Sequence, residues 1–77
     1  MDLILYSREE CHLCDDAWAL ALALAPGCAL QVVDVDADPE LEKRYGLRVP
    51  VLRVAGSDRE LAWPFDASGL KAFLAGP

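Results

Sequence analysis

The chain has 77 residues, of which 55% are hydrophobic, enough for one domain that buries roughly 60 to 65% of its unfolded surface. That apolar content, with a mean hydropathy of +0.21, excludes an intrinsically disordered chain. A formal charge of −6 with no cluster of Lys or Arg argues against nucleic acid and anionic membranes as partners, because both are held by basic side chains.

The opening M-D-L-I-L-Y is too short for the apolar core of a secretory leader and carries Asp2 where positive charge belongs, so a cytoplasmic protein is expected. Leu3 to Tyr6 form a short apolar run that predicts a buried strand, followed by a polar loop over Ser7 to Glu10. A helix near 12–25 comes next. Leu13, Ala17, Leu20, Ala21 and Leu24 recur at the spacing of one helical face, Ala and Leu favour helix over strand, and Pro26-Gly27 supplies the stop. Its apolar stretch, Ala17 to Ala25, falls short of the roughly 18 residues that a membrane span needs. Trp18 is expected to pack inside the fold.

Leu30 to Val35 is rich in β-branched residues and predicts a second buried strand, parallel to the first through a right-handed βαβ unit. Asp38-Pro39-Glu40 provides a helix N-cap, a proline for the first turn and a favourably placed acid, and Gly46 a C-cap, for a helix over 39–45. Val51 to Val54 is the third strand, and the turn Gly56-Ser57-Asp58 leads into a brief fourth strand around 60–62. Asp66 caps a last helix whose apolar face is Leu70, Phe73 and Leu74. The order β-α-β-α-β-β-α describes an α/β fold, a single domain over 1–77 with a four-stranded mixed sheet flanked by helices on both faces. Arg53, Arg59 and Lys71 are expected on solvated surfaces.

Three cysteines, an odd number, fit poorly with a framework of structural disulfides and better with reactive or metal-bound thiols. Cys11 and Cys14 form a C-x-x-C where the first strand passes into the first helix. A thiolate at a helix N-terminus meets unpaired N–H groups and the positive end of the dipole, which lowers a thiol pKa from about 8.5 toward neutrality. Cys11 holds that place. Cys14, one turn along, is close enough to bridge to it and is the natural resolving thiol. Glu9, Glu10, Asp15 and Asp16 oppose the thiolate, whereas Arg8 and a protonated His12 favour it. His12 tunes the pair and has no identifiable acid to orient it as a general base. Cys28 is expected as a small buried hydrophobe.

The stretches Y-S-R-x-x-C-H-L-C at 6–14, V-D-V-D-A-D-P-E-L at 33–41 and R-V-P at 48–50 resemble the short bacterial glutaredoxin-like proteins of the thioredoxin-fold superfamily, those with C-H-L-C in place of C-P-Y-C. The resemblance implies a thioredoxin-like fold and a thiol–disulfide oxidoreductase in which Cys11 attacks a substrate disulfide to give a mixed disulfide. It also implies that Pro50 is cis and faces the cysteine pair, with the backbone of Val49 pairing with an extended substrate. Arg8 and Arg48 are placed to meet a glutathione carboxylate, Asp66 to hold the γ-glutamyl end, and His12, Leu13 and Trp63 to border the site. Glutaredoxins carry a glycine pair before the last helix; here the segment is Trp63-Pro64-Phe65-Asp66. The partners implied are a disulfide-bearing protein or glutathione, the latter as reductant or co-substrate, with no bound cofactor and no metal. A monomer is expected. Two other classes stand beside this one: a thioredoxin-fold binding module with idle thiols, and an iron–sulfur or metal carrier whose site is completed by a second chain or by glutathione.

Overall fold

Along β1 (Asp2–Ser7) the side chains alternate between two faces, and that alternation organises the two cores of the protein. The computed structural model describes residues 2–76. After β1 come α1 (His12–Leu24), β2 (Ala29–Asp34), a 3-10 turn (Val35–Ala37), α2 (Pro39–Tyr45), β3 (Val51–Val54), β4 (Glu60–Ala62) and α3 (Ala67–Ala75). The strands form one sheet in the order β2-β1-β3-β4. β2 runs parallel to β1, while β3 is antiparallel to both β1 and β4. This is the expected α/β architecture.

One core lies between the sheet and the helices α1 and α3. Leu3, Leu5 and Leu52 meet Ala17, Ala21 and Leu70 there, and all six are essentially without solvent exposure. Leu20 and Leu24 join it from α1, and Phe73 and Leu74 from α3. Trp18 does not pack inside as expected: it is 39% exposed, and Leu13 is 49% exposed. The residues of α1 that face the core most fully are Cys14, Ala17 and Ala21, all small. Trp18 follows Ala17 and stands about 100° round the helix from it, on the flank of the arc that meets the core.

The second sequence expectation that fails is the burial of β2. No residue of this strand is fully buried, and Val32 is 45% exposed. The reason is topological: β1 lies inside β2, so β2 has a neighbour on one side only. β-branched composition marks a strand without saying where in the sheet it falls. Cys28, just before β2, is half-buried against the first core rather than fully enclosed, and it has no disulfide partner.

On the other face, the 3-10 turn and α2 cover a smaller core of Tyr6, Val35, Tyr45 and Val51. Tyr6 and Tyr45 stack with ring centroids 4.1 Å apart and planes 13° from parallel. Arg53 is not simply solvated: it donates to the Tyr6 hydroxyl at 3.2 Å and to the Ser57 carbonyl at 2.7 Å. Arg59 is likewise engaged, lying over the Phe73 ring at 4.9 Å and donating to the Phe73 carbonyl. Lys71 is exposed, as expected. In both arginines the charged head finds an oxygen of the fold, and in Arg59 it also lies over an aromatic face. Among the described residues no helix is long and apolar enough to cross a membrane.

Tyr45 donates its hydroxyl to Glu60 at 2.5 Å, and Arg48 donates to the same carboxylate at 3.2 Å. Burial, then the hydrogen bond to Glu60 and the charge of that carboxylate, push the phenol from its ordinary 10.0 up to about 12. A group with a raised folded pKa contributes stability that is complete below pH 10.0 and is lost as pH rises through about 12. Burial alone would raise the Glu60 pKa, but the bonds from Tyr45 and Arg48 outweigh it and hold the carboxyl below its ordinary 4.5. Its contribution is therefore present above that value and lost as pH falls through the depressed pKa. Alkaline titration followed by tyrosinate absorbance is expected to show a late phase near pH 12 that Tyr45→Phe removes. Ionisation of Tyr45 near pH 10 in the folded protein would contradict it.

Candidate active site

Strand register gathers the site at one end of the sheet. Tyr6 pairs with Val51, Val51 with Ala62, and Ser7 with Asp34. The loop after β1, the segment before β3, and the segments after β4 and β2 therefore all emerge together. The first carries Arg8 to Cys11, the second Gly46 to Pro50, the third Trp63 to Asp66, and the fourth Val35 and Asp36.

The loop after β1 reaches α1 through Glu10, whose φ of 55° places a side-chain-bearing residue in the left-handed region. Cys11 is then the N-cap of α1, with extended backbone (φ −110°, ψ 104°). Its Sγ accepts the backbone N–H of Cys14 at 3.1 Å, taking the place that an Asp or Ser oxygen fills at ordinary caps. Cys11 and Cys14 are joined as a disulfide, with Cα atoms 5.2 Å apart. Cys14 is 4% exposed and Cys11 is half-buried, so Cys11 is the member of the pair that solvent reaches more readily. His12 and Leu13, between them, are exposed.

In the second segment the Val49–Pro50 peptide is cis, and in the third so is Trp63–Pro64, which the sequence did not announce. The carbonyl of Tyr45 accepts two backbone N–H groups, from Arg48 at 2.8 Å and from Val49 at 3.0 Å. The Val49 N–H is thus engaged within its own chain. Trp63 donates its N–H to the Pro50 carbonyl at 3.0 Å and sets its ring edge-on to Phe65, with centroids 4.9 Å apart. Its ring also packs against the first core, so the tryptophan is half-buried and fixed. Asp66 is the N-cap of α3, accepting the Gly69 N–H at 2.7 Å, and Leu47 stands fully exposed ahead of Arg48.

Arg8 is the residue whose surroundings sequence reading could not supply. Its Nε and Nη2 grip the two oxygens of Asp36, both at 3.0 Å, and its Nη1 donates to the Gly46 carbonyl at 2.9 Å. Glu42 lies 3.9 Å away. The hydrogen bond to Asp36 raises the guanidinium pKa above its ordinary value, so the side chain stays charged. The glycine at 46 permits this closeness, because a Cβ there would collide with the Glu42 carbonyl and crowd the Arg8 Nη2. Arg8 thereby ties the cysteine loop to the proline segment. Arg48 is similarly matched to Glu60. Among the described residues no group of three or more His, Cys, Asp or Glu side chains is arranged to hold a metal ion.

A mixed four-stranded sheet, a cysteine pair at the turn from its first strand into the first helix, and a cis-proline ahead of the antiparallel neighbour strand define a protein of the thioredoxin-like class. The glutaredoxin-like domain family (DUF836) matches residues 2–75, and the chain belongs to that family. A solved structure of the protein XcR50 from X. campestris is 54% identical, with a TM-score of 0.85 over 97% of this chain and 99% of that one. Protein Ne2328 from Nitrosomonas europaea is 33% identical, with a TM-score of 0.79 over 94% of this chain and 88% of that one. Thioredoxin 1 from Thermosipho africanus, at 16% identity, shares the fold with a TM-score of 0.72 over 97% and 91% of the two chains. Among curated proteins, none matches this chain.

Proposed function

We propose that the protein is a thiol–disulfide oxidoreductase that works through a mixed disulfide on Cys11. The observation that carries this reading is the Cys11 Sγ seated as the N-cap of α1, receiving an amide hydrogen and bonded to the enclosed Cys14. Amide hydrogens and the positive helix end favour sulfur as thiolate, which is both the nucleophile and the better leaving group. In the reduced protein the Cys11 thiolate attacks one sulfur of a substrate disulfide. The substrate S–S bond breaks, and its other sulfur leaves as a thiolate that takes a proton from water. Cys14, as thiolate, then attacks the Cys11 Sγ, the second substrate sulfur departs, and the Cys11–Cys14 disulfide forms. Two electrons pass to the substrate, and a thiol reductant returns them in a later cycle. Disulfide-bearing polypeptides and glutathione are both partners that such a centre can serve.

Cys14→Ser removes the resolving sulfur, so the reaction is expected to stop at the mixed disulfide. Reduced variant exposed to glutathione disulfide or a disulfide-linked peptide should gain one adduct, located on Cys11 by peptide mass and released by a dithiol. Absence of any adduct, or an adduct confined to Cys28, would count against the mechanism.

A further inference from the structure

Four carboxylates surround the cysteine pair: Glu9 and Glu10 on the approach loop, Asp15 and Asp16 in the first turns of α1. All four are exposed, and no ion pair or side-chain hydrogen bond among the described residues engages them. Of the basic residues at this end of the sheet, Arg8 is matched to Asp36 and Arg48 to Glu60, while Lys43 and Arg44, in the last turn of α2 beside Tyr45, are exposed and have no ion pair among the described residues. The four unpaired carboxylates outnumber these two unpaired cations, so the balance of free charge around the site is negative. Two leucines also face solvent here, Leu13 inside the C-x-x-C at 49% exposure and Leu47 fully exposed in the segment leading to Pro50.

We propose that this centre selects disulfides in cationic polypeptides, with Lys or Arg and an apolar residue flanking the half-cystine, and disfavours glutathione adducts. The inference rests on the exchange reading above and narrows its substrate class. Glutathione carries two carboxylates against one ammonium, so its net charge has the same sign as the rim of the site. Its recognition calls for an available cation, and the guanidinium three residues before Cys11 is held by both oxygens of Asp36 and by the Gly46 carbonyl. A peptide bearing Lys or Arg brings the opposite sign to Glu9, Glu10, Asp15 and Asp16. Its apolar side chain can cover Leu13 or Leu47, removing both surfaces from water. Charge of this kind acts mainly on the encounter rate, by a factor between about 10 and 1,000 at low ionic strength.

The test compares the reduced wild-type protein on three probes: a disulfide-linked peptide with Lys and Leu beside the cysteine, the same peptide with Glu in place of Lys, and glutathione disulfide. At low salt the Lys peptide is expected to react at least about 10-fold faster than the other two. The advantage should shrink toward unity near 1 M salt, where the Debye length falls to about 3 Å. Glu9→Gln with Glu10→Gln, and separately Asp15→Asn with Asp16→Asn, should each reduce the preference without abolishing exchange. Equal rates for the two peptides at low salt, fastest turnover of glutathione disulfide, or a preference unmoved by either double variant overturns the selectivity while leaving exchange standing. No exchange with any of the three probes overturns the oxidoreductase reading itself.

Discussion

Cys11→Ser is expected to bring disulfide exchange down to the uncatalysed background while the fold and the start of α1 survive. A hydroxyl at neutral pH is a poor nucleophile toward a disulfide, so the first bond cannot form. The same hydroxyl is a preferred N-cap, and serine oxygen can accept the Cys14 N–H as the sulfur does now. The loss should therefore be chemical and not structural, which a urea melt on the reduced proteins separates from activity. Cys14 is an unsuitable substitute attacker because it is only 4% exposed, and Cys28 lies outside the site, half-buried against the first core. Measured turnover of a disulfide peptide at half the wild-type rate or more would mean that another thiol does the attacking.

Leu52→Ala is the substitution expected to destabilise the protein most. Leu52 has no solvent exposure and sits on β3, an inner strand, opposite Leu5 on β1 and Leu61 on β4. Truncating a leucine in such a place removes the transfer energy of three carbons and leaves a cavity, for a loss of about 2 to 5 kcal/mol. A chain of this size has roughly 4 to 12 kcal/mol in total, so the variant is expected to retain a fraction of its stability and to melt far earlier in denaturant. Val32→Ala on the exposed edge strand offers the contrast, since its side chain is already 45% in water. A Leu52→Ala loss below 1 kcal/mol would show that the first core does not depend on that contact.

The parts of this structure that could be read from sequence are those governed by near neighbours. The helix over 12–24 follows from Ala and Leu spacing and the Pro26-Gly27 stop, and Asp38 and Asp66 cap the helices they were expected to cap. The placement of Cys11 at a helix start needs only the end of one apolar run and the beginning of another. Other features depend on where distant residues arrive. The partner of Arg8 is 28 residues away, and nothing in V-D-V-D-A-D singles out Asp36 from the other acids. Which strand becomes an edge is decided by the crossover of β3 to the far side of β1, so β2 and Val32 looked more buried than they are. Trp18 is a related case: which arc of α1 meets the core depends on how the helix docks on distant elements, and it is the arc of Cys14, Ala17 and Ala21 that does so, leaving the indole on the flank. The full exposure of Leu47 carried no signal, because an isolated leucine in a turn reads as easily inward as outward.

The double acceptance at the Tyr45 carbonyl shapes how a guest can dock. With the hydrogen of Val49 already facing its own chain, an extended visitor laid beside Pro50 is left the neighbouring oxygen alone and finds no reciprocal donor. One tether cannot enforce register as a paired rung does. Under the exchange reading proposed above, grip and alignment of such a visitor would fall to side groups, and the amino acids flanking its sulfur, more than its main chain, would decide how long it stays.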